Sequence, residues 1–133
     1  MLAVMIAISL HVLAAVFWAG STFALARTAG SGSERLFGPQ MGAAGIAVLT
    51  GGYLWRTLHE GALGPMEQVL GAGILSALAA LVIQAFVVGG ALRRLRHQAG
   101  NEVAQRSRIL IAHRVAAMLL AVATLSMAAA RYA

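Results

Sequence analysis

The chain has 133 residues, of which 60% are hydrophobic and 11% charged, with ten arginines, no lysine, four glutamates and a net charge of +6. So few charges exclude an ordinary soluble domain, where about a quarter of residues are charged, and the absence of cysteine excludes disulfides and thiolate metal sites. The length suits one compact domain, and the arginine excess points to membrane topology rather than nucleic acid, because the basic cluster lacks aromatics for base stacking.

Leu2 to Ala26 carries no ionisable side chain except His11. A hydrocarbon core of about 30 Å needs roughly 20 apolar residues of helix, so this stretch predicts a first transmembrane helix over about 2–26. Ala24-Leu25-Ala26 has the look of a signal-peptidase site, but no basic residue precedes the run, and the run is longer than the roughly 7–15 residues of a signal core. The helix is therefore expected to be retained. His11 and Trp18 stand seven residues apart, two turns along one face.

A Gly-Ser link leads to the second span, about 36–58, which carries Pro39 near its start and Gly42, Gly45, Gly51 and Gly52 along its length. Small residues let a neighbouring backbone or a flat cofactor approach closely, and Tyr53 and Trp55 close the span as interfacial anchors. Gly61, Gly64 and Pro65 mark the next link, which also holds His59 and Glu60. The third span, about 67–93, is uncharged over Gln68 to Leu92 and contains Gln84. An arginine-rich link, Arg93 to Arg108, precedes the fourth span, about 107–130, which holds His113 and Arg114.

The expected fold is thus an all-α membrane protein, one domain over 1–133, with four transmembrane helices in an antiparallel bundle. The first and third links carry seven arginines, against Arg56 and Arg131 at the other end. Basic residues stay on the cytoplasmic side, which predicts a multi-pass protein of the cytoplasmic membrane with both termini outside. Arg114, close to the arginine side, is expected to snorkel.

At 1.5 Å of rise per residue, His11 falls level with Thr50, Gly51 and Ser76, and His113 lies deeper, level with Gln84 and near Thr22. A polar group in hydrocarbon costs several kcal/mol without a partner, so His11 is expected to bond Thr50 or Ser76, and His113 to bond Gln84. Histidine is also the commonest metal ligand. Met1, Met5, Met66 and Met127 map to the outer end beside His59, with Met118 inside, and thioethers suit Cu(I). His11, His59, Met5 and Met118 are therefore candidate metal ligands, and His11, Trp18 and His113 candidate cofactor contacts.

The run Leu10-His11-Val12-Leu13-Ala14-Ala15-Val16-Phe17-Trp18-Ala19-Gly20 resembles the first helix of a repeat in the CopD-like copper-resistance membrane proteins. There a Leu-His pair is followed by small and aliphatic residues, then Trp and Gly. The close, Met127 to Tyr132, is similar to the last helix of small proteins of that kind. This resemblance implies copper binding or transport at the cytoplasmic membrane, carried onto His11 and Trp18. The same His-to-Trp spacing also resembles the first helix of HemJ-type membrane proteins of haem biosynthesis, in which Gly stands one position later and which carry later motifs that this chain lacks.

Three functional readings stay open on the sequence. The first is a copper-handling protein using His11, the outer methionines and His59. The second is a b-type haem protein in electron transfer, with His11 or His113 as axial ligand and Arg108 or Arg114 on the propionates. The third is a cofactor-free subunit whose glycine and alanine faces pack against a second copy or a larger membrane complex. No enzyme is expected: the few Ser, His and Glu residues differ too much in depth for a nucleophilic triad, and no phosphate-binding glycine loop is present.

Overall fold

The computed structural model describes residues 1–59, 61 and 63–133, so Glu60 lies outside the described residues. Among these, the chain folds into four helices and no strand: α1 (Leu2–Arg27), α2 (Ser33–Leu58), α3 (Pro65–Arg96) and α4 (Glu102–Ala130). Helices α1, α3 and α4 are long and apolar enough to cross a membrane; α2 is as long as α1 but more polar. Short links at Thr28–Gly32 and His97–Asn101 force antiparallel neighbours, giving an all-α membrane bundle with an arginine end at these links and a termini end opposite.

Local chemistry sets the helix ends. Helix α1 closes with the Gly30 N–H on the Leu25 carbonyl at 2.8 Å, and α3 with the Ala99 N–H on the Arg94 carbonyl, also at 2.8 Å. Each closure places a residue in the left-handed region, Ala29 (φ 55°) and Gln98 (φ 53°), the C-terminal motif in which a sixth residue reaches back to satisfy an orphan carbonyl. Helix α3 opens with Pro65, and the Glu67 carboxylate accepts the Gly64 N–H at 3.0 Å. The Asn101 side chain accepts the Val103 N–H at 2.9 Å to open α4.

The arginines of the Arg93 to Arg108 stretch stand on helix and the link shrinks to His97–Asn101, which corrects the expectation of a link over the whole stretch. Arg93, Arg94 and Arg96 occupy the last turn of α3, where cations oppose the helix dipole favourably, and Arg106 and Arg108 lie in the first two turns of α4. Arginine is a good helix former whose stem reaches water from a helix, so charge alone does not end one. Arg106 pairs with Glu34, tying α4 to the start of α2. Arg114 is exposed, as snorkelling requires.

Polar side chains that the helices carry are turned inward among an alanine-rich core, and large apolar ones face outward. Thr22, Ser33, Gln40, Gln84, Gln105 and His113 are buried, while Leu13, Leu49, Leu75, Phe86 and Leu125 lie on the outer surface. A hydrocarbon solvent selects this arrangement, because it offers a polar group no partner. The central core is built from Ala14, Trp18, Ala44, Ala47, Ala80, Ala116 and Leu120, so helices approach closely over alanines; a second cluster around Val88, Leu92 and Ile109 seals the arginine end. Helix α1 packs on α2 and α4, and α4 packs on α3, but α2 and α3 barely touch.

At Gly73 α3 and α4 approach closely: a Cβ there would lie 2.9 Å from the Ser126 Cβ and 3.2 Å from the Ala123 carbonyl oxygen. At Gly42 a Cβ would meet nothing within 4 Å. Gly73→Val should therefore lower unfolding free energy in detergent by ~1–3 kcal/mol through forced separation of α3 from α4. Gly42→Ala should leave stability unchanged or raise it by up to ~1 kcal/mol. Denaturant titration followed by circular dichroism checks both.

Candidate functional site

Helix α1 carries His11 against the backbone of α2. The His11 Nδ1 lies 2.8 Å from the Ala47 carbonyl oxygen and 3.1 Å from the Thr50 hydroxyl, whose own proton goes to the Ile46 carbonyl at 2.6 Å. A carbonyl can only accept, so Nδ1 carries the imidazole proton and Nε2 is left as a bare lone pair. The ring fits there because residue 51 is glycine: a Cβ would stand 3.0 Å from His11 Cε1 and 3.5 Å from Nδ1. Thr50 is one of the two partners expected; the other, Ser76, donates instead to the Ala72 carbonyl of its own helix.

Where α2 and α3 fail to meet, the termini half of the bundle holds a cavity of about 580 Å³. His11, Trp18, Gly51, Trp55, His59 and Met127 are on its wall, and the rest of the lining is almost wholly aliphatic and alanine. His59 stacks on Trp55, ring centroids 4.6 Å apart and planes 21° apart, and its Nδ1 is buried with no hydrogen-bond partner among the described residues. Two imidazoles and one thioether therefore share a single apolar chamber.

Beneath it lies a buried polar network, in which the Gln40 Oε1 alone lacks a partner among the described residues. The Trp18 indole N–H donates to Gln84 Oε1 at 2.6 Å, and the amide nitrogens of Gln84 and Gln40 both donate to the Thr22 hydroxyl oxygen at 2.9 Å. The Thr22 hydroxyl passes its proton to the Trp18 carbonyl at 2.7 Å. One hydroxyl thus links α1, α2 and α3, with both its lone pairs and its proton in use. Gln84 sits in a π-wound segment of α3, Ile83–Val88, a feature that recurs at functional sites.

His113 is fully buried in this half, but its partner is not Gln84. Its Nε2 lies 3.3 Å from the Ser33 hydroxyl, which donates to the Gly30 carbonyl at 2.6 Å, so Nε2–H is the donor to Ser33. The reason is competition for partners: Gln84 is taken up by Trp18 and Thr22 of α1, which leaves His113 to Ser33. Its distance from the cavity keeps His113 out of the chamber of His11.

The remaining candidates separate by helical phase. Met5 and Met118 are 61% and 69% exposed and face outward, away from the cavity wall. Met118 is five residues beyond His113, about 140° around α4 from that buried side chain. Met127 takes their place on the wall, and its signal was present in sequence: it lies three, four and seven residues beyond Thr124, Ala123 and Leu120, which line the same chamber. Arg108 and Arg114 are not on the cavity wall. Among the described residues no three or more His, Asp or Glu side chains gather as a metal site.

No protein family, no characterised protein and no solved structure matches the chain. The network makes its own prediction. Gln84→Leu strands the buried Trp18 indole N–H and should cost ~1–3 kcal/mol of stability. Combining it with Trp18→Phe should cost clearly less than the sum of the single changes, because the second removes the orphaned donor. Additive losses in denaturant melts would show that the two side chains act separately.

Proposed function

We propose that this chain is a b-type haem-binding protein of the cytoplasmic membrane, with His11 Nε2 as iron ligand in the chamber between α2 and α3 and electron transfer as its role. The observation that carries it is the combination of an imidazole pinned through Nδ1–H to a backbone carbonyl with a bare Nε2 and a large apolar cavity beside it. Anchoring of the second nitrogen is the device by which proteins orient metal-bound histidines. The cavity volume falls in the range of about 300–1,000 Å³ that encloses cofactor-sized ligands. A porphyrin brings four nitrogens of its own and asks the protein for only one or two ligands and an apolar slot, which is what this lining offers.

A second reading is a copper site, in line with the CopD-like first helix. It is favoured by the presence of His11, His59 and Met127, three donors suited to Cu(I), on the same wall. A bare ion depends on several protein ligands converging, whereas haem does not, and that places haem first. The cofactor-free alternative is supported by Gly38, Gly42 and Gly45 of α2, which have open space and leave room for a second copy or a larger membrane complex.

Pyridine haemochrome and metal analysis of gently purified protein test the cofactor. Wild type and His97→Ala, in the exposed link, should load stoichiometric haem, and His11→Ala should lose it. Copper in place of haem would favour the second reading, and equal loading in all three proteins would remove His11 from the site. Wild type without either would favour the subunit role.

The orientation rests on the arginine split, seven at one end against Arg56 and Arg131 at the other. With both termini outside, a C-terminal fluorescent reporter that matures only in the cytoplasm should stay dark, and a periplasm-dependent enzyme reporter should be active. The opposite pair of results would invert the topology.

A further inference from the structure

We infer that Met127 is the second axial ligand of the haem held by His11, an assignment that rests on the haem reading above. Five heteroatom-bearing side chains share the chamber with His11: Trp18, Trp55, His59, Thr124 and Met127, and an indole N–H such as that of Trp55 has no lone pair to offer iron. The Trp18 indole is committed to Gln84, and the Thr124 hydroxyl donates to the Leu120 carbonyl at 2.8 Å. That leaves a thioether and one imidazole.

Height separates them. Ala47, whose carbonyl holds His11, packs in one core cluster with Ala116 and Leu120 of α4. His59 follows Ala47 by twelve residues, about 18 Å along α2, and although its Nδ1 has no partner among the described residues, its ring is held against Trp55 at that end. Met127 follows Leu120 by seven residues, about 10.5 Å along α4. Its side chain leans toward the N-terminus of α4, as helical side chains do, which brings the sulfur back toward the level of His11. Three rotatable bonds give it the reach to settle on iron.

The two donors also approach from different walls. The His11 ring is tied to α2, whereas Met127 stands on α4, which packs against α3 and α1. Histidine–methionine coordination gives low-spin iron and a higher reduction potential than two imidazoles.

The test is electronic and magnetic circular dichroism spectroscopy with redox titration, on protein as isolated and after hemin addition. Wild type should show the weak far-red band of thioether-bound ferric haem. Met127→Leu, which conserves volume, should keep haem on His11, lose that band and acquire high-spin character. Met127→His should restore a low-spin spectrum at a lower midpoint potential. His59→Ala should leave the band in place. A Met127→Leu protein with the wild-type haem spectrum overturns Met127 as ligand while leaving the haem reading intact. Wild type that takes up no haem overturns the haem reading and this assignment with it.

Discussion

The Thr22 hydroxyl holds the interior together. Water is absent at this depth, so a buried polar group either finds a protein partner or costs several kcal/mol. Thr22 accepts from Gln40 and Gln84 and donates to the Trp18 carbonyl, while Gln84 accepts the Trp18 indole proton. This circuit fixes both amide orientations and the rotation of three helices about their own axes. Without it, a core made largely of alanine would have little to distinguish one helix rotation from another, because small side chains slide past each other with little change in packing.

Tying α1 to α2 and α3 at this level has a consequence nearer the termini. Helices α2 and α3 approach each other little along their length, and the network joins them through α1. The floor of the resulting chamber is the Trp18 ring, whose indole N–H is already engaged below. The chamber therefore presents an almost wholly apolar wall, with the exception of the few donors that the helices carry into it. Among these His11 is the most constrained, since its Nδ1–H is bound to the Ala47 carbonyl and its ring rests on the Cα of Gly51. A rigid imidazole with a free Nε2 in low dielectric has no water competing for its lone pair.

The arginine end solves a different problem. Seven guanidinium groups gather there, on helix ends and beside the two links, with their stems along the bundle and their charges outward. Three of them stabilise the C-terminal end of α3 through its dipole, and Arg106 holds the start of α2 through Glu34. Charge at this end thus serves closure of the links, while the chamber lies in the other half.

Hydropathy and the 3.6-residue period alone determined the all-α bundle, the positions of four helices to within a few residues, the shared face of His11 and Trp18, and Thr50 as a neighbour of His11. These properties are local: they follow from the run of apolar residues and from angles along one helix. What the tertiary structure decided was which helices touch and at what rotation. Depth placed His113 beside Gln84, but Gln84 is taken up by Trp18 and Thr22 of α1, which leaves His113 to Ser33. Depth likewise grouped Met5 and Met127 at one end, and only the packing of α4 against α1 and α3 put Met127 on the wall and Met5 on the outer surface. The gap between α2 and α3, and with it the cavity, is a property of unequal pairing among four helices, and no residue pattern within a single helix encodes it.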